Sequence, residues 1–338
     1  MMLIKKSSVA QFRNKAFMTY SYSYIKYGYL FLIRKIVETK IKEISKMDNF
    51  PKLLTALLFS MAYALLALFL FNTTDLLSCN KRSFKLSEED TVLEYTPEQQ
   101  TVRGQTLILP PTGGANFIDK KLARGLCRRG HKVFVLNYNQ PNSVVKDLGI
   151  HDKLSRKVFE SVNSFLETHP HPTAIYGSSL GGIYGSAIFS YGMNRSEEYP
   201  TFSKVEAFIG TVTGGPLHEV LTHSTTSDVK KQRKLRFKTG TYKNIQAYQE
   251  SLKAAIDIDP LEYASPSDDV LLFISTQDTG VPARTQFNLA RAYQAETEKI
   301  RWFGHAFAIT LVGLTKAGRI SEFIKSSFDV GEEHKDKE

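Results

Sequence analysis

Two cysteines and one tryptophan are all that 338 residues contain of either type. Two thiols, Cys79 and Cys127, exclude a disulfide-rich scaffold. Cys127 lies on the apolar side of Lys121–Cys127 with Leu122, Ala123 and Leu126, and reads as a small buried hydrophobe. No Cys/His cluster has zinc spacing, no Gly-rich segment matches a dinucleotide fingerprint or a P-loop, and no internal repeat is visible. An excess of basic charge is also missing from most of the chain. Of the net charge of +10, +7 belongs to residues 1–50, so the remainder gives little reason to expect a nucleic-acid partner.

What the chain does have is one long uncharged run. Residues 53–71 carry no charge and, at about 1.5 Å per residue, would make a helix close to the bilayer hydrocarbon thickness. Lys35, Lys40, Lys42, Lys46 and Lys52 precede it and Asp75 follows, so the positive-inside rule places the basic segment 1–52 in the cytoplasm and the rest outside it (periplasmic in a bacterium). A retained transmembrane anchor and the core of a signal peptide both fit. Leu76-Leu77-Ser78-Cys79 faintly resembles a lipobox, which would make Cys79 a lipidation site. A start at Met47 gives the usual layout of an N-terminal anchor, and both starts stay open.

Beyond residues 72–104, a polar linker with edge strands such as Thr91–Tyr95, strand and helix patterns alternate. Strands are expected at Thr106–Leu109, Lys132–Leu136, Thr173–Tyr176, Val205–Val212, Val270–Ile274 and Lys299–Phe303. Helices are expected at Asp119–Arg129, His151–Thr168, after Ser179 through Ile188, at Ala283–Ala295 and at Lys316–Phe328. Continuous apolar strands joined by helices predict an α/β fold, with a mostly parallel central sheet and helices on both faces. The domain spans residues 105–329, and residues 330–338 read as a disordered tail. Residues 213–266 interrupt the alternation between two strands and predict a helical lid over the carboxyl edge of the sheet. Within the lid, Asp228–Lys243 carries seven Lys/Arg against one acid. It reads as a solvated helix face, with contact to anionic headgroups or acidic substrates as the alternative.

Gly177-Ser178-Ser179-Leu180-Gly181, between a strand and an Ala/Gly-rich helix, has the form of a nucleophile elbow. A Ser hydroxyl needs a neighbouring base, and an imidazole base needs a carboxylate to orient it. In a parallel sheet those groups must sit at the carboxyl ends of strands. Of eight histidines, His131, His169 and His171 precede strands, His151 opens a helix, His218 and His223 fall in the insertion, and His334 is in the tail. Only His305 directly follows a strand. Asp268 and Asp269 precede the Val270 strand, whereas Asp278 follows it. Singly, Ser179 could be a helix N-cap, Asp278 a turn starter and His305 a core histidine. Together they converge on one sheet edge. The oxyanion hole would take its backbone N–H groups from Leu180 and from Thr112 or Gly113 in Pro110-Pro111-Thr112-Gly113-Gly114, since proline has none to offer.

With Gly177–Gly182, Asp278 ahead of Val281-Pro282, Gly304-His305 and the glycine loop in place, residues 105–328 resemble the α/β-hydrolase superfamily. Pro-Pro-Thr-Gly-Gly stands where many members begin the oxyanion loop with His-Gly. The resemblance implies hydrolysis of esters, thioesters or amides through an acyl-enzyme, with no metal and no organic cofactor. The expectation is a membrane-tethered serine hydrolase acting on a small-molecule or lipid ester. Acyl transfer or peptide cleavage by the same residues, and a non-catalytic binding protein on the same fold, are the alternatives.

Overall fold

The computed structural model describes residues 78–98, 104–138, 146–195, 197–240 and 242–335. The basic segment 1–52, Met47 and the apolar run 53–71 lie outside them. Among the described residues no helix is long and apolar enough to cross a membrane.

Eight strands form one sheet in the order β1-β2-β4-β3-β5-β6-β7-β8. They are β1 (Cys79–Lys85), β2 (Thr91–Pro97), β3 (Gln105–Leu109), β4 (Lys132–Asn137), β5 (Thr173–Ser178), β6 (Val205–Thr211), β7 (Val270–Ser275) and β8 (Glu296–Ile300). β1 pairs antiparallel with β2, β2 pairs antiparallel with β4, and every pair from β4–β3 onward is parallel. Strand β3 is buried along its whole length, and its side chains alternate between two cores. Leu107 and Leu109 face α2 (Ile150–Thr168) and α3 (Leu180–Asn194), whose Phe159, Phe165 and Ile188 are fully buried. Ile108 faces α1 (Phe117–Cys127) and two C-terminal helices, named below, through Leu122, Leu126, Val312 and Ile320. Each large side chain buried this way contributes about 1.5–3 kcal/mol, which is why the sheet carries helices on both faces.

Between β6 and β7 the insertion forms three helices, α4 (Leu217–His223), α5 (Ser227–Thr239) and α6 (Ile245–Ala255). They enclose a third, smaller core of Ile183, Leu217, Val220, Tyr248 and Leu252. α7 (Ala283–Tyr293) is followed by β8, then α8 (His305–Thr315) and α9 (Ala317–Lys335). These three C-terminal helices complete the two faces, α7 on the side of α2 and α3 and the last two on the side of α1; of these only α8 was not marked by the periodicity.

Three expectations change. The last strand is Glu296–Ile300 rather than Lys299–Phe303, because an exposed edge strand of Glu-Thr-Glu-Lys-Ile shows no apolar run. The chain end does not break at residue 330: helix α9 continues to Lys335. Cys127 is buried but not a free thiol, because it forms a disulfide with Cys79, Cα to Cα 6.2 Å. That bond also removes Cys79 as a lipidation site, since a thioether-linked sulfur has no valence left for a disulfide. The pairing escaped the sequence because Cys79 sits in the exposed edge strand and Cys127 closes a helix, 48 residues apart.

Candidate active site

The elbow is built by steric exclusion. Ser179 ends β5 and opens α3 with φ 53°, a left-handed conformation that costs a non-glycine residue free energy. Its neighbours allow the turn only because they lack side chains. A Cβ on Gly177 would lie 2.4 Å from the Gly181 carbonyl oxygen, and one on Gly181 would lie 2.2 Å from that of Leu109. The turn is locked from behind by Ser179 N–H, which donates to Thr211 O at 2.9 Å.

Ser179 Oγ is 2.9 Å from His305 Nε2, and His305 Nδ1 is 2.8 Å from Asp278 Oδ2. Asp278 follows β7 and its side chain is fully buried. Burying a carboxylate demands donors, and it has four. Gly280 N–H (2.6 Å) and Val281 N–H (3.1 Å) donate to Oδ1, while Gln286 Nε2 (3.1 Å) and His305 Nδ1 reach Oδ2. With Nδ1 donating, Nε2 is left as the acceptor for the Ser179 hydroxyl. His305 is delivered by a strained turn. Trp302 stands exposed at φ 71°, outside the range a bulky side chain prefers, and Ser275 Oγ donates to Phe303 O at 2.5 Å.

A cavity of about 470 Å³ opens beside Ser179 and His305. Its walls are mostly apolar: Ile118, Leu180 and Ile183 from the core, Leu217, Val220 and Val229 from the insertion. Thr112 and Leu180 line it; Gly113 does not. Leu180 starts α3, where first-turn amides have no intrahelical acceptor and the helix dipole favours negative charge. The glycine loop is pinned by Gly114 N–H to Pro111 O (3.1 Å), Ala115 N–H to Asn137 Oδ1 (3.1 Å) and Tyr138 OH to Pro110 O (2.9 Å). A hydroxyl bonded to an imidazole, the imidazole bonded to a buried carboxylate, and helix-start amides beside an apolar cavity are groups with which acyl transfer through a covalent intermediate can be carried out.

Three further polar groups at this site were not singled out from the sequence. Gln286 on α7 bridges Asp278 and the Val281 carbonyl, and its Oε1 accepts from Ser275 N–H at 3.0 Å. A glutamine on the buried side of α7 with Leu289 was the available clue. His151, set aside because it opens a helix, lines the cavity, and Arg236, read as part of a solvated face, is buried against it. Of the other insertion cations, Arg233 caps α4 by donating to the carbonyls of Leu221, Thr222 and Ser224. Lys230, Lys231, Lys234 and Lys238 are solvent-exposed. Among the described residues no group of three or more His, Cys, Asp or Glu side chains is placed to hold a metal ion.

The strand order, the elbow and the lid between β6 and β7 define the α/β-hydrolase fold. No protein-family model and no curated protein matches the sequence. Solved structures do match in shape. TT1662 from Thermus thermophilus has a TM-score of 0.51 at 13% identity, over 74% of this chain and 98% of that one. Est1E from Butyrivibrio proteoclasticus gives 0.49 at 12% identity, over 74% and 99%. A cold-adapted esterase from an Arctic intertidal metagenomic library gives 0.46 at 13% identity, over 72% and 94%. At these identities the likeness is one of fold.

Proposed function

We propose that this chain is a serine hydrolase that cleaves carboxylic esters with an apolar chain, tethered to a membrane through residues 53–71, with residues 1–52 cytoplasmic and the hydrolase domain outside the cytoplasm. The observation that carries the reading is the hydrogen-bonded series from Ser179 Oγ through His305 to the fully buried Asp278, at the mouth of an apolar cavity. His305 Nε2 takes the Ser179 proton as Oγ attacks the ester carbonyl. Asp278 holds the tautomer and balances the imidazolium. The N–H groups of Leu180 and Thr112 receive the oxyanion. His305 then returns the proton to the leaving alcohol, and water activated by the same nitrogen releases the acid. The disulfide between Cys79 and Cys127 supports an oxidising compartment for the domain.

A fluorophosphonate probe tests the nucleophile: labelling at Ser179, absent in Ser179→Ala, is expected. Folded wild-type protein that neither takes the label nor hydrolyses any p-nitrophenyl ester from acetate to dodecanoate would overturn the reading. Protease treatment of intact cells tests topology. The domain should be cleaved without lysis, and protection until lysis would reverse the assignment.

A further inference from the structure

We propose that His151 is a specificity-determining hydrogen-bond donor, recognising a second oxygen, carbonyl or hydroxyl, in the ester that the cavity takes; this rests on the hydrolase reading of Ser179. His151 lies in the first turn of α2 and lines the cavity with Ile150 and Leu154. Arg236 of α5 places both Nη1 and Nη2 at 3.2 Å from His151 Nε2. A guanidinium carries donors and no acceptor. The Nε2 facing it must therefore present a lone pair, which fixes the single proton of the neutral ring on Nδ1. Arg236 is itself held by Tyr248 OH at 3.0 Å and by Asp147 O at 3.0 Å, so the lock does not depend on a mobile side chain.

The ring makes no other hydrogen bond among the described residues, so Nδ1–H has no acceptor among them. Burial, and after it the Arg236 charge, push the imidazole down to about 3, so the ring is neutral at neutral pH. A fixed donor in a mostly apolar cavity favours a ligand that brings it an acceptor and disfavours one that leaves it dry. The discrimination available from one such unpaired group is about 1–3 kcal/mol, or roughly ten- to a hundredfold.

The test compares p-nitrophenyl octanoate with its oxo-octanoates, in which a ketone oxygen is moved along the chain one carbon at a time. Wild-type protein should prefer one positional isomer at least tenfold in kcat/KM. His151→Phe should lose that preference through KM, the kcat/KM ratio between the favoured oxo ester and octanoate falling to within about twofold of 1. His151→Asn, whose amide N–H stands close to the lost Nδ1–H, should restore most of it. Should His151→Phe not fold, His151→Leu against His151→Asn carries the same contrast. Equal losses on all esters, or a wild-type enzyme indifferent to the ketone, would overturn the proposal while leaving the hydrolase reading intact. Absence of any hydrolysis together with absence of fluorophosphonate labelling would overturn both.

Discussion

At the strand-end rim of the cavity His305 leans on a carboxylate, and at the wall made by α2 and α5 His151 leans on a guanidinium. The residue type is the same and the cavity is the same. The neighbour's charge makes the two rings opposites. With the Asp278 carboxylate accepting from Nδ1–H of His305, Nε2 is the nitrogen left to accept from the Ser179 hydroxyl. Burial first and the Arg236 cation second keep the His151 imidazole neutral, and the guanidinium at Nε2 leaves Nδ1 to carry the proton. Geometry alone, two imidazoles lining one pocket, would not distinguish a base from a recognition element; their partners do.

The largest effect should come from breaking the rim. Asp278→Asn or His305→Ala should lower kcat on p-nitrophenyl esters by about 10³–10⁴-fold or more, with the folded state kept. Stopped-flow release of p-nitrophenol measures it, and a loss under tenfold in both would refute their assigned roles.

A control away from both rings comes next. Cys79→Ala with Cys127→Ala opens a loop of 48 residues and should cost about 4 kcal/mol in urea unfolding by the chain-entropy estimate, while kcat/KM of the folded protein changes less than twofold. A matching loss of activity would mean that stability, not the rim, sets the rate.

Removing the cation on the other side is third. Arg236→Met strips donors from His151, Tyr248 and Asp147, and should cost about 3 kcal/mol of stability. The His151 pKa, followed by NMR, should rise from about 3 yet stay below the ordinary value, because burial is the larger cause of its depression. An unchanged titration would show that Arg236 does not set the ring's charge.

The smallest effect is on pH. His131, buried, bonded to Ser321 and pushed down to about 4 by burial, and His151, partly buried and pushed down to about 3, are both neutral at neutral pH. Their folded values lie below the unfolded value of about 6.5, so the stability they lend is full above that pH and is lost as acid is added. Between pH 6.5 and 5 each should cost about 1.5 kcal/mol. Asp119, raised to about 6 mainly by burial, works in the opposite sense and offsets part of the loss. Urea midpoints that do not fall over this interval would contradict the neutral assignment.

The rim was legible in the sequence because it follows a rule of position. Ser179, Asp278 and His305 each follow a strand, and strands such as Val270–Ser275 announce themselves as unbroken apolar runs. The wall was not legible. Arg236 sits among six other cations, and nothing in the residue order separates the one that turns inward from Lys234, which stays in water. His151 was excluded by the same positional rule that selected His305, because the rule applies to strands and His151 belongs to a helix. The edge strand Glu296–Ile300 escaped for a third reason: its polar face meets solvent, so its pairing with β7 leaves no pattern in composition.

The bond between Cys79 and Cys127 also has a mechanical side. β1 is an edge strand, joined to its neighbour on one side only, and Cys79 is its first residue. Tension entering through the polypeptide ahead of Cys79 would otherwise unzip β1 from β2 one rung at a time. The sulfur bridge hands that load to Cys127, at the end of a helix seated in the interior. Tugging on that end therefore loads the helix end at Cys127 before it can peel the margin.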